Sequence, residues 1–110
     1  MAKTQNSVQL IGYLGADPVL RKAVNGRAYT KVRMATDSRR KLPDGSFVKR
    51  VTWHTIMAWS HLAESFPETF IKGSHVMIQG SIRNNTFTAE DGSKRFFSHV
   101  EASKVVDLDR

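Results

Sequence analysis

The chain has 110 residues, with 17 Lys and Arg against 10 Asp and Glu, a formal net charge of +7 and no cysteine. That length is one domain's worth, residues 1–110, and 40% apolar with 25% charged residues is the balance of a folded domain rather than a disordered one. Disulfides and thiolate metal sites are excluded. No apolar run approaches the ~20 residues of a membrane span, and the polar opening Met1-Ala2-Lys3-Thr4-Gln5-Asn6 lacks the apolar centre of a signal peptide. A cytoplasmic location is expected. The cationic excess points to a polyanionic partner. An anionic membrane would call for a basic amphipathic helix or a lipidation signal, and neither is present.

Turn residues punctuate the chain at Gly15 to Pro18, Asn25-Gly26, Pro43-Asp44-Gly45, Lys72-Gly73-Ser74 and Glu90-Asp91-Gly92. A first strand is expected from about Gln5 to Leu14, with Val8, Leu10 and Leu14 on one face and Gly12 marking a bend or a close backbone approach. A short extended piece, Val19 to Val24, leads to the Asn25-Gly26 turn. The second strand, about Arg27 to Thr36, alternates Ala28, Thr30, Val32 and Met34 with Tyr29, Lys31 and Arg33, one apolar face against one cationic face. A polar loop is expected over Asp37 to Ser46. The third strand, Phe47 to Trp59, is rich in β-branched and aromatic residues. Ser60 then reads as the N-cap of a short helix with Glu64 in its first turn, which Pro67 should kink or split and Gly73 should end. The fourth strand, His75 to Ile82, continues with a bend through Arg83 to Thr88, and the Asp91-Gly92 turn leads into the fifth, Lys94 to Lys104. Five strands with one short helix between the third and fourth is the chain order of an all-β OB barrel. The competing architecture is a small open sheet packed on one helix, and closure is favoured because it removes exposed edges.

Enzyme signatures are missing. Gly12-Tyr13-Leu14-Gly15 is too short for a dinucleotide loop and opens onto no helix, and no serine sits in a nucleophile elbow. His54, His61, His75 and His99 form no helical His-x-x-x-His pair, so neither a metal nor a cofactor is expected. A nuclease would need clustered carboxylates, whereas Asp17, Asp37, Asp44 and Asp91 fall in turns or loops. Asn84-Asn85-Thr86 matches a glycosylation sequon that a cytoplasmic protein would not use.

One constellation remains. Trp53, Thr55, Met57 and Trp59 lie on the same side of one strand, the two indoles roughly 20 Å apart. Phe87 stands just before a hairpin tip. The other phenylalanines, Phe47, Phe66, Phe70, Phe96 and Phe97, read as core. Around the indoles lie Lys31, Arg33, Lys49, Arg50, Arg83 and Arg95. Cations interleaved with aromatics are the footprint of single-strand binding, in which charges track phosphates and rings stack on bases.

These residues resemble the bacterial single-stranded DNA-binding proteins over nearly the whole chain. The resemblance is carried by Asn6-Ser7-Val8-Gln9-Leu10-Ile11-Gly12-Tyr13-Leu14-Gly15-Ala16-Asp17-Pro18, Leu20-Arg21, Asn25-Gly26, Ala35-Thr36, Trp53-His54, Leu62-Ala63-Glu64, Lys72-Gly73-Ser74 and Val76, Ile78 and Gly80. It implies a homotetramer of OB folds, with a dimer as the alternative, that wraps single-stranded DNA with little sequence preference in replication, recombination and repair. It implies stacking roles for Trp53, Trp59 and Phe87, basic groove positions at Arg21, Lys49, Lys72, Arg83 and Arg95, and a subunit contact at His54. Many relatives carry a tryptophan where Arg39-Arg40-Lys41 stands here, so phosphate contacts, Arg40 among them, are expected to replace one stacking platform. The sequence ends at Val105-Val106-Asp107-Leu108-Asp109-Arg110. Relatives continue into a tail with an acidic, hydrophobic tip that recruits replication and repair enzymes, so recruitment by that route is not expected. An OB-fold primosome accessory protein and an RNA-binding protein are the alternative readings.

Overall fold

Among the described residues seven elements follow in the expected order: β1 (Val8–Leu14), β2 (Leu20–Lys22), β3 (Ala28–Lys41), β4 (Phe47–Trp59), α1 (Ser60–Thr69), β5 (His75–Thr88) and β6 (Lys94–Asp107). The computed structural model describes residues 4–109; Met1-Ala2-Lys3 of the polar opening, and Arg110, lie outside the described residues. Strand order is β1-β5-β6-β4-β3-β2, and a further β1–β3 pairing joins the ends of the five long strands. The result is a closed five-stranded barrel of OB type, with the three-residue β2 added outside β3. Beyond the barrel, β3–β4 and β5–β6 run on as two long hairpin arms. No described helix is long and apolar enough to cross a membrane.

The alternation read in the sequence builds the core. Thr30, Val32 and Met34 point inward from β3 and meet Ile56 and Ala58 of β4, Val76 and Ile78 of β5, Leu14 of β1 and Val100 of β6. Ala63, Phe66 and Phe70 close one end of the barrel. Gly12 is where β1 crosses β3: a Cβ there would run into the Ala35 carbonyl oxygen. The bend expected after Ile82 lies earlier. At Gly80 the β5–β6 register shifts and a Cβ would meet the Glu101 carbonyl, so the strand curves there and then continues unbroken to Thr88.

The helix departs from expectation at both ends. Trp59 is its N-cap and makes no side-chain cap; Ser60 is the first helical residue, at φ 58°, and Glu64 falls beyond the first turn. The chain passes from β4 into α1 with no linker, and Ser60 absorbs the change of direction in a conformation that costs a non-glycine residue. Pro67 does not split the helix, which runs on to Thr69. A proline at 67 removes the N–H that would serve the carbonyl of residue 63. Here the buried Thr30 hydroxyl donates to the Ala63 carbonyl at 2.7 Å, so a side chain from β3 replaces the missing helical bond.

The polar stretch 37–46 is not a loop. β3 continues to Lys41, and only a five-residue turn separates it from β4. In that turn the Leu42 amide donates to the Ser46 carbonyl and the Gly45 amide to the Leu42 carbonyl. The Asp44 carboxylate accepts from the Ser46 amide and hydroxyl at 2.9 and 2.6 Å, with Gly45 at φ 89°. The Ser46 hydroxyl first, and its amide second, hold the Asp44 carboxyl below its ordinary range. The same turn recurs with Ala89, Asp91, Gly92 and Ser93, where Asp91 is lowered by the same bonds, and with Ala23, Asn25, Gly26 and Arg27. Left-handed glycine after a carboxylate or amide cap is common to all three.

Candidate nucleic-acid interface

The β3–β4 ladder is continuous from Tyr29 opposite Trp59 to Lys41 opposite Phe47. Directly opposed residues share a face. Tyr29, Lys31, Arg33 and Ala35 therefore stand beside Trp59, Met57, Thr55 and Trp53 on the outer wall, while Thr30, Val32, Ile56 and Ala58 point into the core. Each indole carries a cation: the Arg33 guanidinium carbon lies 5.3 Å from the Trp53 ring centroid, and that of Arg27 lies 4.6 Å from Trp59. Tyr29 tilts against Trp59 with ring centroids 5.5 Å apart. Trp53 is 50% exposed and packs over Gly15, where a Cβ would come within 2.5 Å of its ring. Neither indole belongs to the buried core.

Arg21 of β2 pairs with Tyr29, which puts it in the row Arg21–Tyr29–Trp59. Lys49 lies on the Trp53 face and meets Asp37 at 3.5 Å. Arg40 does not: the register turns it to the opposite face of the arm, with Ser38, Val48 and Arg50, and gives the Trp53 face Arg39 instead. A strand alternates where a loop would not, so the unexpected continuation of β3 decides which arginine faces outward. Lys72 sits in the loop before β5, its amide donating to the Asp17 carboxylate at 2.7 Å. That bond ties it to the same Gly15–Pro18 turn that Trp53 covers.

The outer wall continues from β4 to β6, where Met57 is the partner of Glu101, and on into the β5–β6 arm. Arg83, Asn85 and Phe87 share a face there with His99, Phe97 and Arg95. A concavity of about 460 Å³ between Trp59 and Arg83, lined also by Met57, Asn85, His99 and Glu101, connects the Trp59 indole to this arm. Arg83 Nε donates to Glu101 at 2.8 Å. The Asn85 amide and His99 Nδ1 are 3.1 Å apart, which fixes the buried imidazole. Phe87, 52% exposed, meets Phe97 edge to face at 6.1 Å.

Three phenylalanines read as core are not. Phe66 and Phe70 are buried, but Phe47, Phe96 and Phe97 are 64%, 75% and 46% exposed. They lie on the arms, where alternation persists with no barrel interior beneath it. Phe97, Arg27 and Tyr29 are the members of this surface that the sequence pattern did not single out. The signal for Tyr29 was its alternation with Lys31 and Arg33; Arg27 had none beyond following a turn.

His54 faces the other way, half-buried, with its Nε2 2.9 Å from the Thr36 hydroxyl. It borders a concavity of about 220 Å³ with Val8, Leu10 and Ile82, and burial pushes its pKa below the ordinary value of 6.5. Among the described residues, no three His, Asp or Glu side chains converge as a metal site.

A closed OB barrel with rings and guanidinium groups along its outer wall is the class these features define. The fold matches the solved structure titled "Plasmodium falciparum SSB complex with ssDNA" with a TM-score of 0.86, 19% identity and 99% of both chains covered. The model of the single-strand binding protein family matches residues 5–108, and the chain belongs to that family. It is 37% identical over 105 residues to a single-stranded DNA-binding protein of Xylella fastidiosa strain Temecula1 and 35% identical to one of Xanthomonas axonopodis pv. citri. These matches cover 96% of this chain but 64% and 58% of the relatives, so it spans less than two thirds of their length.

Proposed function

We propose that the chain binds single-stranded DNA without strong sequence preference and shields it during replication, recombination and repair, performing no chemistry and using no cofactor. The observation that carries this reading is the pair of indoles on one outward face of β4, each beside a guanidinium group. Rings stack on any base, at about 1–3 kcal/mol each, while Lys and Arg neutralise phosphates. Trp53, Trp59 and Phe87 serve as platforms. Arg21, Arg33, Lys49, Lys72, Arg83 and Arg95 follow the backbone, with Arg39 in the place expected of Arg40. Family membership supports the same reading. The proposal extends to a homotetramer in the bacterial cytoplasm, with half-buried His54, bonded to Thr36 within its own chain, at a subunit contact.

Intrinsic tryptophan fluorescence tests it. Oligo-dT should quench the emission at low salt and lose affinity steeply as salt rises, while duplex DNA leaves it nearly unchanged. Trp53→Ala and Trp59→Ala should each weaken binding by about 1–3 kcal/mol without unfolding the barrel. Full affinity in both variants rejects the stacking assignment. A matched RNA oligomer that outcompetes DNA reassigns the ligand.

A further inference from the structure

Trp53 and Trp59 stand six residues apart on β4, and the arginines over their rings, Arg33 on β3 and Arg27 at the end of the turn just before it, stand six apart in the chain. The two pairs share the same offset from the residue opposite the indole. Trp59 opposes Tyr29 and takes its cation from Arg27, two residues earlier in the chain and just before β3; Trp53 opposes Ala35 and takes its cation from Arg33, again two residues earlier. One offset is thus used twice, once within the ladder and once at its end where the chain enters β3, at a separation long side chains span between antiparallel strands. Both arginines are exposed, and among the described residues no carboxylate pairs with either.

We propose that these are two equivalent Arg–Trp units, each serving one nucleotide: the indole stacks the base, and the guanidinium, held against that same indole, takes the adjoining phosphate. The inference rests on the proposed function and adds Arg27 to the strand-binding surface as a phosphate contact. The chemistry needs arginine. A planar, weakly hydrated guanidinium can lie on a ring while its edge N–H groups bind a phosphate oxygen pair; an ammonium keeps the charge but not the geometry. At the Trp59 unit the orientation is set in advance, because Arg27 Nε donates to the Ser60 hydroxyl at 3.4 Å and Tyr29 lies against the indole. That hydroxyl is placed by the left-handed backbone of Ser60, at the point where β4 becomes α1.

The test is a fluorescence titration with oligo-dT across a salt series. It uses the whole chain and the variants R27K, R27A, W53A, W59A, R27A/W59A and R27A/W53A, each of which keeps at least one tryptophan. R27K should retain the wild-type salt slope yet bind roughly two- to five-fold more weakly. R27A should also flatten the slope of log affinity against log salt by about 0.7, the loss of one phosphate contact. Arg27 and Trp59 should couple by a similar two- to five-fold factor, whereas Arg27 and Trp53 combine independently. R27K binding as tightly as wild type, absent coupling to Trp59, or tighter binding once Arg27 is removed would each overturn the proposal while single-strand binding stands. Failure of the wild-type chain to bind oligo-dT removes the functional reading itself.

Discussion

Replacing Thr30 with valine keeps the volume and shape of the side chain but removes the hydroxyl that serves the Ala63 carbonyl. Thr30 is 1% exposed and its bond to Ala63 is 2.7 Å. Because Pro67 has no N–H, that carbonyl then has neither a helical donor nor a side-chain one. Leaving a buried acceptor unpaired costs about 1–3 kcal/mol, more than the loss of an exchangeable surface bond. For a domain of this size that is a fall in melting temperature of roughly 4–15 °C. Pro67→Ala restores a backbone donor to the same oxygen, so Thr30→Val in that background should cost much less. Circular dichroism melts of the wild type, both single variants and the double variant give the coupling directly. Equal losses from Thr30→Val with and without Pro67 would show that the hydroxyl does not substitute for the absent helical bond.

Phe87→Ala should weaken oligo-dT binding by about 1–3 kcal/mol while leaving the melting temperature nearly unchanged, because half of the ring faces solvent; titration and melting on one preparation check both. Gly12→Ala should destabilise the barrel by about 1–3 kcal/mol in denaturant unfolding, since its Cβ has nowhere to go but the Ala35 carbonyl. Burial depresses the His54 pKa in the folded chain. The unfolded chain therefore takes up the proton first, so this contribution to stability is complete above the unfolded pKa of about 6.5 and is lost as pH falls toward the folded value. Wild type should accordingly lose more melting temperature than His54→Gln between pH 8 and pH 5.

The barrel was legible because its core faces alternate cleanly, as in Thr30, Val32 and Met34 against Lys31 and Arg33. Periodicity could not reveal where the interior stops. The ladder carries β3 and β4 well past the barrel, and out there the same inward parity that buries Met34 leaves Arg40 and Val48 in solvent. Charged residues over 37–41 read as a loop because a strand without a buried face has no apolar signature, yet cross-strand partners suffice to form it. Phe47, Phe96 and Phe97 were assigned to the core for the converse reason: large rings favour burial only where something lies beneath. Pro67 argues for a broken helix until its partner, thirty-seven positions earlier in the chain, is known. Of the site, the tryptophans and most of the cations were visible in the sequence. Arg27 was not, because its relation to Trp59 exists only through the pairing of two strands.

Among the described residues three hairpins are closed by one and the same five-residue cap, whose turn-closing hydrogen bonds all fall within the cap. Such a closure makes the length of each arm an adjustable quantity. Adding or deleting residues in pairs on both strands below the cap would preserve which side chains look outward and leave the barrel undisturbed. The reach of the two long arms can therefore change by small steps in evolution, or by design, without the fold being renegotiated each time.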